Sequence, residues 1–143
     1  MSYTARFTEV NELLARLAPL TYAGGVSTPW FAVNDYHRVV VIVSAGTLAG
    51  TLDVAVFQAT NVAGTGAKIV TGKAITQLAG TDDEVICAIE IRTEELDVDG
   101  GFDCLRVQTT NADQASNVYE VLVFGFEPRY AAVGTTEWDE VVD

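Results

Sequence analysis

The sequence predicts an all-β protein, an antiparallel β-sandwich of the jelly-roll type with one short N-terminal helix. Short runs rich in valine, isoleucine and threonine recur along the chain, and glycine, asparagine and aspartate separate them. No apolar run approaches the length that crosses a bilayer. An immunoglobulin-like sandwich is the alternative that the same pattern allows, because the sequence does not order the strands.

The length of 143 residues suits a single domain, and no repeat or linker divides the chain. We predict one sandwich domain over residues 1–133, which includes an N-terminal arm and the helix, followed by an acidic tail over 134–143. The first residues lack the basic start and apolar core of a secretory signal, so we expect synthesis in the cytosol and no membrane association.

The charge balance is strongly acidic. Eight lysines and arginines stand against twenty aspartates and glutamates, a formal net charge of −12. Such a chain is poorly suited to nucleic acid, because it cannot neutralise a row of phosphates and release their counterions. We interpret the acidic clusters at 82–84, at 94–99 and in the tail as solvated surface, with docking on a basic partner as the alternative.

The segment from Thr8 to Ala18 has the pattern of a helix. Thr8 is a suitable N-cap, Glu9 suits the positive end of the helix dipole, and Pro19 stops the helix. One apolar stripe recurs at intervals of three and four residues, formed by Val10, Leu13, Leu14 and Leu17. We expect this stripe to cover one end of the sheet or to pack against a neighbouring subunit.

Two valine-rich runs, 38–45 and 51–60, are predicted as the strands of a central hairpin, with glycines in the connection 46–50. The five apolar residues from Val39 to Val43 put side chains on both faces of a sheet. A strand covered on both faces belongs in a sandwich or against a partner chain. Further strands are predicted at 30–33, 68–78, 84–93, 102–110 and 117–126, with a bulge at Gly72.

The residues contain no recognisable catalytic, cofactor-binding or metal-binding constellation. The single histidine, His37, lies at a strand entrance, and neither cysteine lies in a nucleophile turn. A jelly-roll metal site of the cupin type needs several histidines. We therefore predict no enzyme activity and no cofactor.

Cys87 and Cys104 both lie in apolar runs, which indicates unpaired structural thiols in a reducing cytosol. The alternating aspartates Asp97, Asp99 and Asp103 are similar to part of a calcium loop, but Gly101 holds a ligand position and the closing glutamate is missing. A glycine-containing turn is the preferred interpretation, and a cation site is the alternative.

The aromatic residues outside the strand cores are candidates for binding. Trp30 and Phe31 follow a glycine-rich loop, and Trp138 lies in the acidic tail. Trp138 has three possible fates: it folds back onto the sandwich, stays disordered, or anchors in a pocket of a partner, where aromatic side chains carry disproportionate binding energy.

Three segments, Trp30–Val39, Thr51–Thr60 and Phe126–Tyr130, resemble small virion structural proteins of tailed bacteriophages, especially siphophages. The resemblance covers most of residues 26–133, and within such phages the nearest role is a capsid decoration, or cement, protein. Proteins of that kind typically form trimers at the points where capsomers meet. The resemblance thus implies self-association as a homotrimer, the major capsid protein as partner, and a place on the capsid surface of a virion made in the bacterial cytoplasm.

A cement protein reaches its neighbours through termini and loops, so we expect the contacts near both ends of the chain and near Trp30. The candidate contact residues are Leu13, Leu17, Trp30, Phe31, Arg129, Tyr130 and Trp138. Two alternatives stay open, namely another neck, tail or fibre-associated component, and a carbohydrate-binding sandwich that uses exposed aromatics.

Overall fold

The computed structural model describes residues 5–112, 115–130 and 138–142. These residues form a sandwich of two four-stranded antiparallel sheets, with α1 (Phe7–Val10) before the first strand and a 3₁₀ turn (Thr93–Glu95) after the sixth. The strands are β1 (Asn11–Ala23), β2 (Phe31–Ala32), β3 (Tyr36–Ala45), β4 (Leu52–Ala59), β5 (Lys68–Ala74), β6 (Ile86–Arg92), β7 (Cys104–Asn111) and β8 (Ser116–Pro128).

The strand order confirms the predicted jelly-roll sandwich. Sheet A has the order β1–β8–β3–β6, and sheet B has the order β2–β7–β4–β5. The chain therefore changes sheet at every connection except that between β4 and β5, so that most sheet neighbours are distant in sequence. This interleaved arrangement of eight strands is the jelly roll.

The predicted central hairpin is wrong, although both of its strands exist. β3 belongs to sheet A, where it pairs with β6 and β8, whereas β4 belongs to sheet B, where it pairs with β5 and β7. The connection between them crosses from one sheet to the other. A strand of either sheet buries one apolar face against the opposite sheet, so burial alone does not assign a strand to a sheet, and the pairing with distant strands decides it.

The predicted helix from Thr8 to Ala18 is also wrong beyond its first turn. The helix ends at Val10, and the chain then runs as β1, pairing with β8 from Asn11 to Ala23. Ala15 and Leu17 lie opposite Val123 and Val121 and share their buried face. Packing against the sandwich overrides the local helical preference, because most helix stability comes from tertiary contacts.

The core lies between the two sheets and is built largely of valine. Val39, Val41 and Val43 of β3 are completely buried. The inward residues of the other central strands include Leu52, Val54, Val56, Leu105, Val107, Val121 and Val123, each at most 1% exposed. β-branched side chains suit this position, because they are stiff and pack well on a pleated surface.

The predicted irregularity at Gly72 is confirmed. The pairing of β5 with β4 loses its register between Ile69 and Ala74, and Gly72 lies inside that interval. Gly72 has φ of +76°, a left-handed conformation that glycine adopts without the penalty that other residues meet.

Candidate functional site

Sheet A carries a band of apolar side chains on the surface that faces away from the core. Residues directly opposite each other in the strand register share a face. One row across the sheet contains Glu90, Val40, Phe124 and Leu13, and the next contains Ala88, Ile42, Leu122 and Arg16. We call these two rows, together with the neighbouring Ile86, the outer face of sheet A.

Part of the outer face is accessible. Ile86, on the edge strand β6, is 70% exposed, and Ala88 of the same strand is also exposed. Val40, Ile42 and Leu122 are partly buried by their neighbours in the sheet. The outer face therefore presents a continuous apolar band that reaches the edge of the sheet, a feature typical of contact surfaces.

Aromatic side chains from both ends of the described chain meet at one corner of this outer face. The ring of Phe7 contacts that of Phe124 edge to face at a centroid distance of 5.7 Å. The ring of Trp138 packs against the same Phe124 at 6.0 Å. Of the three predicted fates of Trp138, the structure shows the indole folded back onto its own sandwich.

At the end of sheet A that adjoins this corner lies a cleft of about 510 Å³, which we call the arginine cleft. Its lining residues are His37, Arg38, Arg92, Thr93, Glu94, Val98, Glu127 and Arg129. Arg38 lies directly opposite Arg92 in the register, and it also pairs with Phe126 of β8. The cleft therefore borders the outer face one row beyond Val40 and Phe124.

The structure places the predicted contact residues in three different environments. Leu17 and Phe31 belong to the core, at 9% and 8% exposure, and present little surface to a partner. Leu13 shares the outer face with Phe124 but is only 6% exposed, so it also presents little surface. Arg129 is exposed in the arginine cleft, and Tyr130 is 70% exposed.

Trp30 lies on sheet B and is already occupied by its own chain. The guanidinium of Arg106 lies over the indole ring at 4.8 Å, a cation–π arrangement. The edge of the indole lies against the turn at Gly64, so closely that a Cβ atom added to this glycine would lie 2.4 Å from Nε1 of Trp30. Arg106 and the Gly64 turn therefore occupy one face and one edge of the indole, and a sugar could stack only on the opposite face.

The aspartate-rich loop is a turn held by internal bonds. The N–H of Gly100 donates to Oδ1 of Asp97 (3.0 Å), and the Lys68 ammonium pairs with Oδ2 of the same carboxylate. The hydrogen bond from Lys68, and to a smaller extent that from Gly100, lowers the pKa of the Asp97 carboxyl. Over residues 5–112, 115–130 and 138–142 no group of three or more histidine, cysteine, aspartate or glutamate side chains is placed to hold a metal ion.

Both cysteines are free thiols and lie on different sheets, Cys87 on β6 and Cys104 on β7. Burial, with a smaller contribution from the hydrogen bond to Asp103, raises the pKa of the Cys104 thiol to about 11. A thiol protonated in this way is a weak nucleophile at neutral pH. His37 is exposed at the rim of the arginine cleft.

Sequence reasoning missed most of this surface. The run from Val39 to Val43 indicates side chains on both faces of a strand, but the sequence does not show that this strand lies beside those of Leu122, Phe124 and Ile86. Arg38 and Arg92 are far apart in the sequence, and only the β3–β6 pairing brings them together. The available signal is the alternation along β8, in which Leu122, Phe124 and Phe126 are partly buried and the residues between them are buried.

No protein-family model and no curated protein matches the sequence. Solved structures of similar fold include a chain of Broad Bean Stain Virus, 10% identical, which covers 99% of this chain and 97% of that chain with a TM-score of 0.46. A chain of an empty Cowpea Mosaic Virus particle is 11% identical over 94% of this chain and 88% of that one, with a TM-score of 0.45.

A third similar structure comes from the pili of Bacillus endospore appendages, 14% identical over 88% of this chain and 96% of that chain, with a TM-score of 0.40. With identities this low and TM-scores below 0.5, these similarities carry no argument about what the chain does. The fold assignment rests on the strand order itself. Within the described residues, no helix has the length and apolar character that a membrane span requires.

Proposed function

We propose that this chain is a non-enzymatic structural protein of a tailed bacteriophage, a capsid decoration protein that binds between capsid subunits and stabilises the head. The proposal joins the sequence resemblance of residues 26–133 to one structural observation, the apolar outer face of sheet A. Such a protein acts through its surfaces, and its chemistry is that of binding.

The outer face has the properties of a surface that becomes covered. Ile86 at its edge is 70% exposed, and the row of Ala88, Ile42 and Leu122 continues the apolar band towards the centre of the sheet. Interface cores are depleted of charge, and this band has that composition between the flanking Glu90 and Glu120. The rest of the molecule, at a net charge of −12, stays well solvated.

In this proposal the protein assembles as a homotrimer and contacts the major capsid protein. Rotational symmetry uses one patch three times, so a modest band on each subunit produces a larger combined contact. Each trimer then bridges neighbouring capsid subunits, and breaking the shell requires breaking those contacts as well. The shell thereby resists the pressure of packaged DNA.

Light scattering and co-sedimentation with undecorated phage heads test the proposal. We expect a trimer that sediments with expanded heads and raises the temperature at which they release DNA. Ile86→Asp places a charge in the band and should abolish both trimer formation and head binding. Val62→Asp is the matched control, because Val62 is 62% exposed on the turn after β4 and lies outside the outer face.

A monomer that does not bind heads contradicts the proposal, and so does head binding that Ile86→Asp leaves unchanged. Cryo-electron microscopy of the virion separates the shell from the neck, tail and fibre locations. Density at the neck or tail instead of the shell assigns the chain to a connector or fibre-associated role.

A further inference from the structure

The arginine cleft concentrates positive charge on an acidic protein. The whole chain has eight lysines and arginines, and three of them, Arg38, Arg92 and Arg129, line this one cleft. His37 lies beside them. In a chain with a net charge of −12, such a concentration makes the cleft a local site of attraction for anions.

Two of the arginines lie close enough to repel each other. Arg38 and Arg92 lie directly opposite each other on neighbouring strands, an arrangement that is destabilising for like charges. Arg38 pairs with Glu127 at 3.1 Å, and Arg92 pairs more loosely with Glu94 at 3.8 Å. A guanidinium has five N–H donors, so these single pairs use only part of its hydrogen-bonding capacity.

The third arginine is held in position by the backbone and by a buried hydroxyl. The Arg129 N–H donates to the carbonyl of Asp35 (2.8 Å), and its guanidinium donates to Oγ1 of Thr93 (3.0 Å). Thr93 is buried and in turn donates to the carbonyl of Tyr36 (3.0 Å). Arg129 is therefore pre-organised, which lowers the entropy cost of binding an anion.

Glu127 completes the rim in a strained conformation. Its φ is +53°, a region that residues other than glycine rarely adopt. Glu127 lies within β8 between Phe126 and Pro128, both of which pair with β3, and its carboxylate pairs with Arg38. Strain of this kind persists where the surrounding structure holds it and is frequent at binding sites.

A second, smaller pocket of about 210 Å³ adjoins the cleft and shares Thr93, Val98 and Arg129 with it. Its other lining includes the apolar side chains of Val33, Leu96 and Phe102. Val98, on the boundary of the two pockets, is 60% exposed. A charged pocket beside an apolar one is suited to a ligand that carries an anion next to a hydrophobic group.

The charge of the lining selects among anions. Three arginines and two glutamates leave the cleft with a formal charge of +1 (3 − 2), before any contribution from His37. One carboxylate neutralises that balance, whereas a phosphate dianion leaves the occupied cleft with a formal charge of −1. A nucleic acid is in addition repelled by the net charge of −12 of the chain.

We propose that the arginine cleft binds the carboxylate of an acidic residue in a partner protein, and that the adjoining pocket receives the apolar side chain next to it. Paired N–H donors of arginine bind a carboxylate in a bidentate manner, which gives such a contact its specificity. The inference goes beyond the decoration role, because it names the chemistry of one contact and holds for any protein partner.

An NMR titration of the full-length, ¹⁵N-labelled protein with short peptides tests this inference without any viral particle. The probe is an end-blocked hexapeptide with one Glu–Leu pair among glycines and serines, and its control replaces Glu by Gln. We expect saturable shifts at residues 92–98 and 127–130 with the Glu peptide, and binding weaker by about tenfold or more with the Gln peptide. Raising the salt concentration should weaken the Glu peptide further.

Two variants and a matched control identify the site. Arg92→Gln should weaken binding of the Glu–Leu peptide about tenfold. The wild type should bind the Glu–Leu peptide more tightly than a peptide in which Gly replaces Leu, and Val98→Ser should remove this difference. Arg16→Gln is the control, because Arg16 is an exposed arginine on the far edge of the same sheet. Arg92 and Val98 are largely exposed, so we expect both variants to fold. Thermal unfolding of each variant checks this.

Several outcomes overturn the proposal. Equal affinity for the Glu and Gln peptides does so, as does weakening by Arg16→Gln that matches the effect of Arg92→Gln. Binding of inorganic phosphate or of an oligonucleotide at residues 92–98, with no shift from the Glu peptide, assigns the cleft to another ligand class. Failure of this titration leaves the decoration proposal standing, because head binding is measured separately and through Ile86.

Discussion

At the scale of single residues, Asn117 is the clearest case of a polar side chain that holds two elements together. Its side chain is completely buried, and Oδ1 accepts hydrogen bonds from the N–H groups of Ala49 (2.8 Å) and Gly50 (3.0 Å). Its Nδ2 donates to the carbonyl of Thr51 (3.1 Å). One residue of β8 therefore satisfies three backbone groups of the connection between the sheets.

We expect Asn117→Ala to lower the free energy of unfolding by about 2–4 kcal/mol, because it leaves buried backbone groups without partners. Urea unfolding measures this as a lower midpoint with an unchanged slope. Ser116→Ala, at the exposed neighbouring position, is the control and should change the stability by less than about 0.5 kcal/mol. Equal effects of the two substitutions would contradict this role.

Cys104 provides a second prediction at the residue scale. Because its pKa is raised from 9.0 to about 11, the native thiol at pH 8 holds about one-hundredth of the thiolate of an ordinary cysteine. Alkylation by iodoacetamide at pH 8, followed by mass spectrometry, should therefore modify Cys104 slowly in the folded protein and rapidly in urea.

The sign of the linked stability effect follows from the same shift. Folding favours the protonated thiol, so the stabilisation is complete below pH 9 and is lost as the pH rises towards 11. Asp103→Asn removes the charged partner and should increase the native alkylation rate of Cys104. Rapid alkylation of Cys104 in the folded wild type at pH 8 would show that the thiol is not protected.

At the scale of elements, the first strand shows what local sequence does not reveal. The stripe of Val10, Leu13, Leu14 and Leu17 fits a helix, yet all but Val10 lie in β1. Two register shifts along β1 adjust the strand to β8, one between Leu13 and Ala15 and one between Leu17 and Leu20. Such bulges disturb the simple alternation by which a strand is recognised in sequence.

The helix and the strand make opposite predictions for two alanines. In a helix, Ala18 lies near the apolar stripe and Ala15 lies away from it. In β1, Ala15 belongs to the buried core, whereas Ala18 is only partly buried. Ala15→Asp should therefore destabilise the protein by about 3 kcal/mol or more, and Ala18→Asp by clearly less, in urea unfolding. The reverse order would support the helix.

A second feature at this scale connects the edges of the two sheets. The Lys73 ammonium of β5 pairs with Glu95 of the 3₁₀ turn at 3.1 Å, and the Glu95 carboxylate also accepts the N–H of Arg92 (2.8 Å). The backbone hydrogen bond from Arg92, followed by the contact with Lys73, lowers the pKa of Glu95 below its ordinary value of 4.5.

A lowered pKa in the folded state means that Glu95 stabilises the protein above pH 4.5 and that this contribution disappears as the pH falls through the folded-state pKa. Glu95→Gln should therefore reduce the melting temperature at pH 7, and this reduction should become smaller as the pH falls below 4.5. Glu94→Gln is the matched control, since its carboxylate is 77% exposed. A difference that grows as the pH is lowered would contradict this linkage.

At the scale of the whole molecule, the sequence predicted the fold class and most of the strands, but not how they are connected. The all-β sandwich and seven of the eight strand positions follow from short β-branched runs between turn residues. The assignment of β3 and β4 to opposite sheets does not follow, because non-local pairing with β8 and β7 decides it.

The candidate site was predictable to a smaller extent for the same reason. Trp138, Arg129 and Tyr130 were singled out as isolated residues, and they are at least partly accessible. The outer face and the arginine cleft arise only when β3, β6 and β8 lie side by side. Leu17 and Phe31 were chosen for their apolar character, which equally suits the core that they occupy.

The net charge of −12 leads to a prediction for the molecule as a whole. Mutual repulsion of the carboxylates opposes the compact state, and dissolved salt screens it. The melting temperature at pH 7 should therefore rise by a few degrees between about 10 and 150 mM sodium chloride. Sodium chloride and potassium chloride should act alike, and a melting temperature that falls with either salt would contradict this explanation.

The meeting of Phe7 and Trp138 on Phe124 has a practical consequence for anyone who attaches something to this protein. The two rings bring the opposite extremities of the described chain to a single corner of one sheet. A fluorophore, affinity handle or displayed antigen attached at Phe7 lies at the same corner of sheet A as one attached at Trp138. Cargo at either position therefore crowds the outer face of sheet A around Phe124.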